Sequence, residues 1–254
     1  MKKLIVGSLF ASIACSAAFA AISDDEIIAS FPPIAQGVNI SVEKREKLEN
    51  TAFEKIVILL KKDDQEYRQI MFSDGKYLFP DIIDTAAKRS YASEFRAEQD
   101  KILMSAGYEN LAKLLKTYPK NKIVSLGKDK KKPVKVIFTD PLCPYCKQEM
   151  KNIHERLKEA NLRLIFAPIP SHGEEAVAKS ISIQKEVRKA KKDSEIIAIL
   201  EKYYADDSVP ASNISTDEIE KEKMLIDSIF ATGAIRGVPA IIDGKDIDLS
   251  IIKF

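Results

Sequence analysis

The constraint that most limits the fold is a strand that runs into a helix through a pair of cysteines. Val134 to Phe138 is an apolar, β-branched run, and Cys143-Pro144-Tyr145-Cys146 follows five residues later, opening a helical pattern that extends to about Ala160. A short apolar run bounded by turn residues reads as a buried strand, and the spacing after it reads as a helix. From Lys122 onward the predicted order is strand (122–126), strand (134–138), helix (143–160), strand (163–166), a long helical region (174–204), a helix (216–230), and two closing strands, Ala240–Ile242 and Ile247 onward, around Asp243-Gly244. Strands alternating with helices form an α/β layer architecture. Its sites lie outside the carboxyl ends of the strands, where this cysteine pair falls.

Upstream, Asp24 to Ser30 is a short helix broken by Pro32-Pro33, while 52–61, 67–72 and 76–79 read as strands around the turn Ser73-Asp74-Gly75. Glu43 to Asn50 reads as the start of a helix. The stretch 24–88 is too short for a large core of its own, so self-association is the expected way to bury its strands. From Thr85 to Lys116 apolar residues recur at helical spacing (Phe95, Ile102, Leu103, Ala106, Leu111, Leu114, Leu115), with Gly107 expected to split the helix and Pro119 to end it.

Cysteine usage narrows the chemistry. Residues 1–20 carry Lys2-Lys3, an apolar stretch from Leu4 to Ala14 and Ala18-Phe19-Ala20, the pattern of a cleaved secretory signal. The apolar stretch is too short to span a membrane comfortably. Cys15 after Ala14 offers a lipoprotein alternative, disfavoured by Ser12 where such signals prefer Leu. With Cys15 set aside, the exported chain holds only Cys143 and Cys146, where a disulfide-stapled scaffold would scatter its cysteines. A structural zinc needs four ligands, and His154 and His172 do not stand at zinc-finger spacing, so no metal site is expected. Without Lys2 and Lys3 the basic and acidic side chains are equal at 38 each, which argues against nucleic acid as a partner.

At a helix start, unpaired N–H groups and the helix dipole favour a negative sulfur. Pro144 suits the first turn because its missing N–H has no intrahelical partner to lose. The reading is that Cys143 attacks and Cys146, one turn further in, resolves the mixed disulfide. Lys147 is expected to add a nearby positive charge, and Tyr145 to be exposed beside the sulfur. His172 reads as a loop residue opening the next helix, His154 as solvent-facing, and Asp140 as a residue capping the approach to the dithiol helix or opposing its thiolate.

Val136-Ile137-Phe138-Thr139-Asp140-Pro141-Leu142-Cys143-Pro144-Tyr145-Cys146 resembles the strand and active-site motif of the thioredoxin-fold Dsb family, in particular its dimeric DsbC/DsbG-type periplasmic members. Gly237-Val238-Pro239-Ala240 is similar to the family's cis-proline loop, and Phe72 to Phe79 resembles its small dimerisation domain. The resemblance implies an α+β / α/β chain. A C-terminal thioredoxin-like catalytic domain with a helical insertion (120–254) would be joined by a linker helix (89–119) to a cystatin-like N-terminal dimerisation domain (21–88), after a signal peptide (1–20). It implies a periplasmic homodimer that forms or isomerises disulfides in exported cysteine-containing proteins and exchanges electrons with an inner-membrane partner. Val238 and Pro239 would bind the substrate backbone, and the Cys143–Cys146 disulfide would be the redox group, with no separate cofactor. Val238 before the proline is more like DsbA oxidases, whereas DsbC-type isomerases usually carry Thr, and Ile137 stands where many thioredoxins keep a buried carboxylate. A dimeric holdase chaperone with a secondary redox site is the alternative reading.

Overall fold

The computed structural model describes residues 22–31, 37–63, 65–208, 211 and 213–249. Residues 1–20, expected as a signal sequence and including Cys15, and Pro32-Pro33 lie outside the described residues. The chain divides into two compact units, Met1–Asp100 and Lys101–Phe254.

The first unit opens with α1 (Asp24–Ala29), started by a capping box in which Ser23 and Glu26 satisfy each other's backbone donors. Four strands follow in a meander: β1 (Asn39–Lys47), β2 (Glu54–Lys62), β3 (Gln65–Ser73) and β4 (Leu78–Phe79), antiparallel in the order β1-β2-β3-β4. The expected helix at Glu43–Asn50 is not there, because 43–47 belong to β1. Its charged residues are held by other segments. Arg45 bonds Asp24 and Glu54, Glu43 bonds Arg68, and Glu46 pairs with Lys55. Alternation along β2 sends Ile56 and Ile58 to one face, with Ile27 of α1, and Val57 to the other, with Ile70, Phe72 and Ala92. A two-stranded ribbon, β5 (Ile83–Asp84) with β6 (Arg89–Ser90), leads into α2 (Tyr91–Thr117).

Gly107 does not divide α2, which is continuous over its 27 residues. A Cβ at this position would lie 2.7 Å from Ala234 N and 2.8 Å from Gly233 C. The glycine is there for a close backbone approach, and the helix tolerates it.

The second unit is built on the sheet β10-β8-β9-β7: β7 (Ile123–Leu126), β8 (Val134–Thr139), β9 (Asn161–Phe166) and β10 (Ala240–Ile242). β8 and β9 are parallel, and β7 and β10 flank them antiparallel. The helices are α3 (Pro144–Lys151), α4 (Ile153–Glu159), α5 (Gly173–Val187), α6 (Asp193–Tyr204) and α7 (Thr216–Ala231). Sequence suggested one helix over 143–160, but Asn152 separates α3 from α4. The expected strand from Ile247 is not formed by residues 247–249.

Both faces of this sheet are buried, and the period of two decides what meets what. Val136, Phe138 and Ile165 face one side, with Leu111 and Leu115 of α2 and Ile229 of α7. Ile137, Leu162, Leu164 and Phe166 face the other, with Cys143, Cys146 and Met150 of the dithiol segment and Leu200, Tyr203 and Tyr204 of α6. The chain is thus a mixed α+β protein. No helix among the described residues is long and apolar enough to cross a membrane.

Candidate functional site

β8 ends at Thr139, and Asp140 to Leu142 turn the chain into α3. Asp140 organises that turn. Its main-chain carbonyl accepts from Cys143 N at 3.2 Å and its Oδ1 from Leu142 N at 2.8 Å. Oδ2 accepts from Ile169 N at 3.1 Å and is hydrogen-bonded to His172 Nδ1 at 2.7 Å. With three partners, a carboxylate that is wholly buried is nonetheless satisfied. Asp140 therefore does cap the approach to the helix, and it also pins the loop that leads to α5. His172 stands at the N-cap of α5 but makes no side-chain capping bond; its ring turns to Asp140 instead. His154 is exposed, 3.9 Å from Glu201.

Cys143 is the N-cap of α3 and Pro144 takes the first helical position. The Cys143 carbonyl accepts the first helical bond from Lys147 N at 2.9 Å. Both thiols are free, and neither is open to solvent: Cys143 is 4% exposed and Cys146 not at all. Burial alone therefore separates the two sulfurs only slightly. Pro144 and Tyr145 are the part of the motif that meets solvent, Tyr145 at 76% exposed.

Val238 and Pro239 come to the dithiol from the loop before β10. Cys143 Sγ lies 3.5 Å from the Val238 carbonyl oxygen, and the Val238–Pro239 peptide bond is cis. β10 pairs with β8 at Ala240↔Phe138, and this register brings the loop alongside the end of β8. The structure therefore assembles Cys143, Cys146, Val238 and Pro239 at one point, with Pro144 and Tyr145 on its rim.

The two sulfurs have different surroundings. Burial pushes the Cys146 thiol up to about 12, and the nearness of Cys143 adds to the rise. Hydrogen bonds from the Asp140 main-chain N–H and the Thr139 hydroxyl act in the opposite sense. At neutral pH Cys146 therefore keeps its proton. Lys147 does not aim at the sulfurs; its ammonium donates to the Ala205 carbonyl at 3.3 Å and to Asp206 at 3.4 Å. Between α3 and α6 lies a cleft of about 310 Å³ lined by Lys147, Met150, Lys151, Glu201, Tyr204 and Ala205.

Two residues of the site escaped the sequence reading. Thr139 Oγ1 and Tyr204 Oη are 2.8 Å apart and buried, behind Cys146. Thr139 was accessible to sequence reasoning, since it shares the face of Ile137 by alternation and is polar at the end of an apolar strand. Tyr204 gave no signal, because with Ile197 and Leu200 it continues an ordinary apolar helix stripe. Among the described residues no three His, Cys, Asp or Glu side chains cluster as metal ligands would.

A thioredoxin-like domain family model matches residues 119–245. Among solved structures, DsbG of Helicobacter pylori is similar, with 22% identity over 82% of this chain and 95% of that one and a TM-score of 0.48. A linker-deletion variant of Proteus mirabilis ScsC follows, with 18% identity over 65% of this chain and 89% of that one and a TM-score of 0.41. The thiol-disulfide exchange protein alpha-DsbA2 from Wolbachia pipientis has 15% identity over 57% and 86% and a TM-score of 0.41. No curated protein matches the sequence.

Proposed function

Since this chain belongs to the thioredoxin-like domain family, we propose that it is a thiol:disulfide oxidoreductase that forms and reshuffles disulfide bonds in exported proteins. The observation that carries the proposal is a pair of free thiols at the start of α3, seated against the cis Val238–Pro239 segment.

In its oxidised form the protein would hold a Cys143–Cys146 disulfide. A client thiolate attacks Cys143 Sγ, Cys146 leaves, and a second client thiolate displaces Cys143, closing the client disulfide and leaving the enzyme dithiol. Run partly in reverse on a wrongly paired client, the same steps reshuffle its bonds. Cys143 takes the attacking role because it lies at the helix start and against the substrate-binding loop. Cys146 takes the resolving role because it is fully buried and protonated at neutral pH. The main chain of Val238 and Pro239 holds the client backbone beside Cys143, and exposed Tyr145 contacts client side chains.

The cellular setting is part of the proposal. Residues 1–20 direct the chain to the periplasm, where an inner-membrane redox partner restores the dithiol or its disulfide, and the segment 21–88 makes it a homodimer. Pro144 in the motif and Val238 before the cis-proline motivate an oxidising pair.

The test is oxidation of a reduced multi-cysteine client by the oxidised mature protein, alongside reactivation of a scrambled client by the reduced form. Both activities should vanish in Cys143→Ser, while Cys146→Ser should trap a mixed disulfide with the client. Oxidation that persists without Cys143 would overturn the assignment. A reduction potential near −270 mV, roughly that of thioredoxin, would sink the oxidising role, which calls for a value nearer about −120 mV. A solution mass of one mature chain would refute the dimer.

A further inference from the structure

In the exchange proposed above, Cys146 has to leave as a thiolate before solvent can reach it. Its side chain is fully buried, and a buried anion without donors is costly. Ile137 offers no polar atom on that face of β8. Two residues on, Thr139 does: it is wholly buried on the same face, and its hydroxyl is near enough to oppose the rise of the Cys146 thiol. Thr139 Oγ1 in turn lies 2.8 Å from the hydroxyl of Tyr204, at the last turn of α6.

The direction of this chain follows from the phenol. Burial drives the Tyr204 hydroxyl well above its ordinary range, and the nearby Cys146 and Asp140 add to the rise, so it keeps its proton throughout. A phenol that stays protonated can donate to Thr139, and Thr139 is then free to give its own O–H to the sulfur. The groups around Cys146 are accounted for on each element. The N-cap of α3 supplies Cys143, the end of β8 supplies Thr139, the turn after it supplies the Asp140 N–H, and α6 supplies Tyr204. The Lys147 ammonium is engaged at Ala205 and Asp206.

We propose that Thr139 and Tyr204 form a two-hydroxyl donor chain that stabilises the Cys146 thiolate as the Cys143–Cys146 bond breaks or forms. In this proposal Thr139 is the donor to the departing sulfur, and Tyr204 acts through it as a positioning residue. The inference rests on the reading of Cys143 and Cys146 as the exchanging pair. In the step concerned, a bond forms between the incoming thiolate and Cys143 Sγ, and the Cys143–Cys146 bond breaks. The electron pair and the negative charge depart on Cys146 Sγ, where Thr139 and the Asp140 N–H meet them before water supplies a proton. In the return step Cys146 releases that proton to water, attacks Cys143 Sγ of the mixed disulfide, and the client sulfur leaves as a thiolate.

The experiment measures the rate at which dithiothreitol reduces the oxidised mature protein, for the unsubstituted chain and for Thr139→Val, Thr139→Ser, Tyr204→Phe and the Val/Phe double variant. A hydrogen bond to a developing charge is worth about tenfold or more in rate, so Thr139→Val should slow reduction by about that factor and Tyr204→Phe by about threefold. Thr139→Ser keeps the hydroxyl and should stay within about twofold of the unsubstituted rate. The double variant should be no slower than Thr139→Val alone, because the phenol acts only through Thr139. Forward and reverse rates should fall together, leaving the equilibrium with glutathione at pH 7 unmoved, which loss of a merely structural tie between α6 and β8 would not arrange. A Thr139→Val rate equal to the unsubstituted one overturns the proposal, as do effects that multiply in the double variant. Should Thr139→Val fail to fold, Tyr204→Phe decides alone, and an unchanged rate there overturns it. Absence of any exchange at Cys143 in the unsubstituted protein would overturn the parent function as well, so the two failures are told apart.

Discussion

The protonated state of Cys146 makes the stability of the reduced protein depend on pH in a calculable way. The clean perturbation is Cys143→Ala in a chain starting at residue 21, which leaves Cys146 as its one thiol, compared with Cys143→Ala combined with Cys146→Ala. Burial is the first cause of the rise of Cys146 from its ordinary 9.0 to about 12, and it survives the loss of Cys143. Between those two values the folded state holds a proton that the unfolded state has released. Stability therefore falls as pH rises, with a slope of at most about 1.4 kcal/mol per pH unit, and is unaffected below the unfolded value. From pH 8 to pH 10 the single variant should lose about 1.4 kcal/mol relative to the double variant. Titration of lysines and tyrosines is common to both proteins and cancels, and the cavity left by Cys146→Ala adds an offset that does not vary with pH. Urea unfolding of the two variants at pH 8, 9 and 10 measures the difference. A difference that stays flat, or one that grows in favour of the single variant with pH, would refute a buried, protonated Cys146.

Two further predictions concern the frame around the dithiol. Asp140→Ala removes a buried acceptor from Leu142 N, Ile169 N and His172 Nδ1 at once, and should cost about 3 kcal/mol or more in denaturant unfolding, with Asp140→Asn costing less; a loss under about 1 kcal/mol would show that the loop rearranges around the missing carboxylate. Gly107→Ala should destabilise even though Ala is favoured in a helix by about 1 kcal/mol, because the new Cβ would meet the main chain at Ala234 and Gly233 at 2.7 and 2.8 Å, an overpacking cost of about 1–3 kcal/mol. A raised melting temperature in this variant would refute the close approach.

What could be read in the sequence is what short range decides. The apolar run of β8, the proline at the first turn of α3 and the proline before β10 are each fixed by neighbours within a few residues, and each was legible. β1 was not, because in isolation its charges from Glu43 to Lys47 resemble a helix face. Only the folded meander shows Glu43, Arg45 and Glu46 satisfied by Asp24, Glu54, Lys55 and Arg68 from other segments. Gly107 misled for the same reason, since a helix breaker by local preference becomes a packing necessity once Gly233 lies against it. The partners of the site are further apart still: Asp140 and His172 are separated by 32 positions, Thr139 and Tyr204 by 65.

These long-range pairs also explain how the turn before the dithiol can be shaped without a charged group beside the buried sulfur. Asp140 sits between two tasks. Its carboxylate turns away toward Ile169 and His172 and fixes the loop, while its main-chain N–H turns toward Cys146. A carboxylate aimed at Cys146 would repel the thiolate that has to form there; a main-chain N–H and a threonine hydroxyl attract it without bringing a charge of their own. The lysine next in sequence is likewise drawn off to the end of α6. The surroundings of Cys146 therefore consist of neutral donors in an apolar wall, an arrangement that keeps the resting thiol protonated and still offers the departing sulfur hydrogen bonds. Replacing Thr139 by Val would weaken the second property, leaving only the Asp140 N–H, and keep the first, which is why the rate of exchange, more than the resting protonation of Cys146, is the quantity expected to respond.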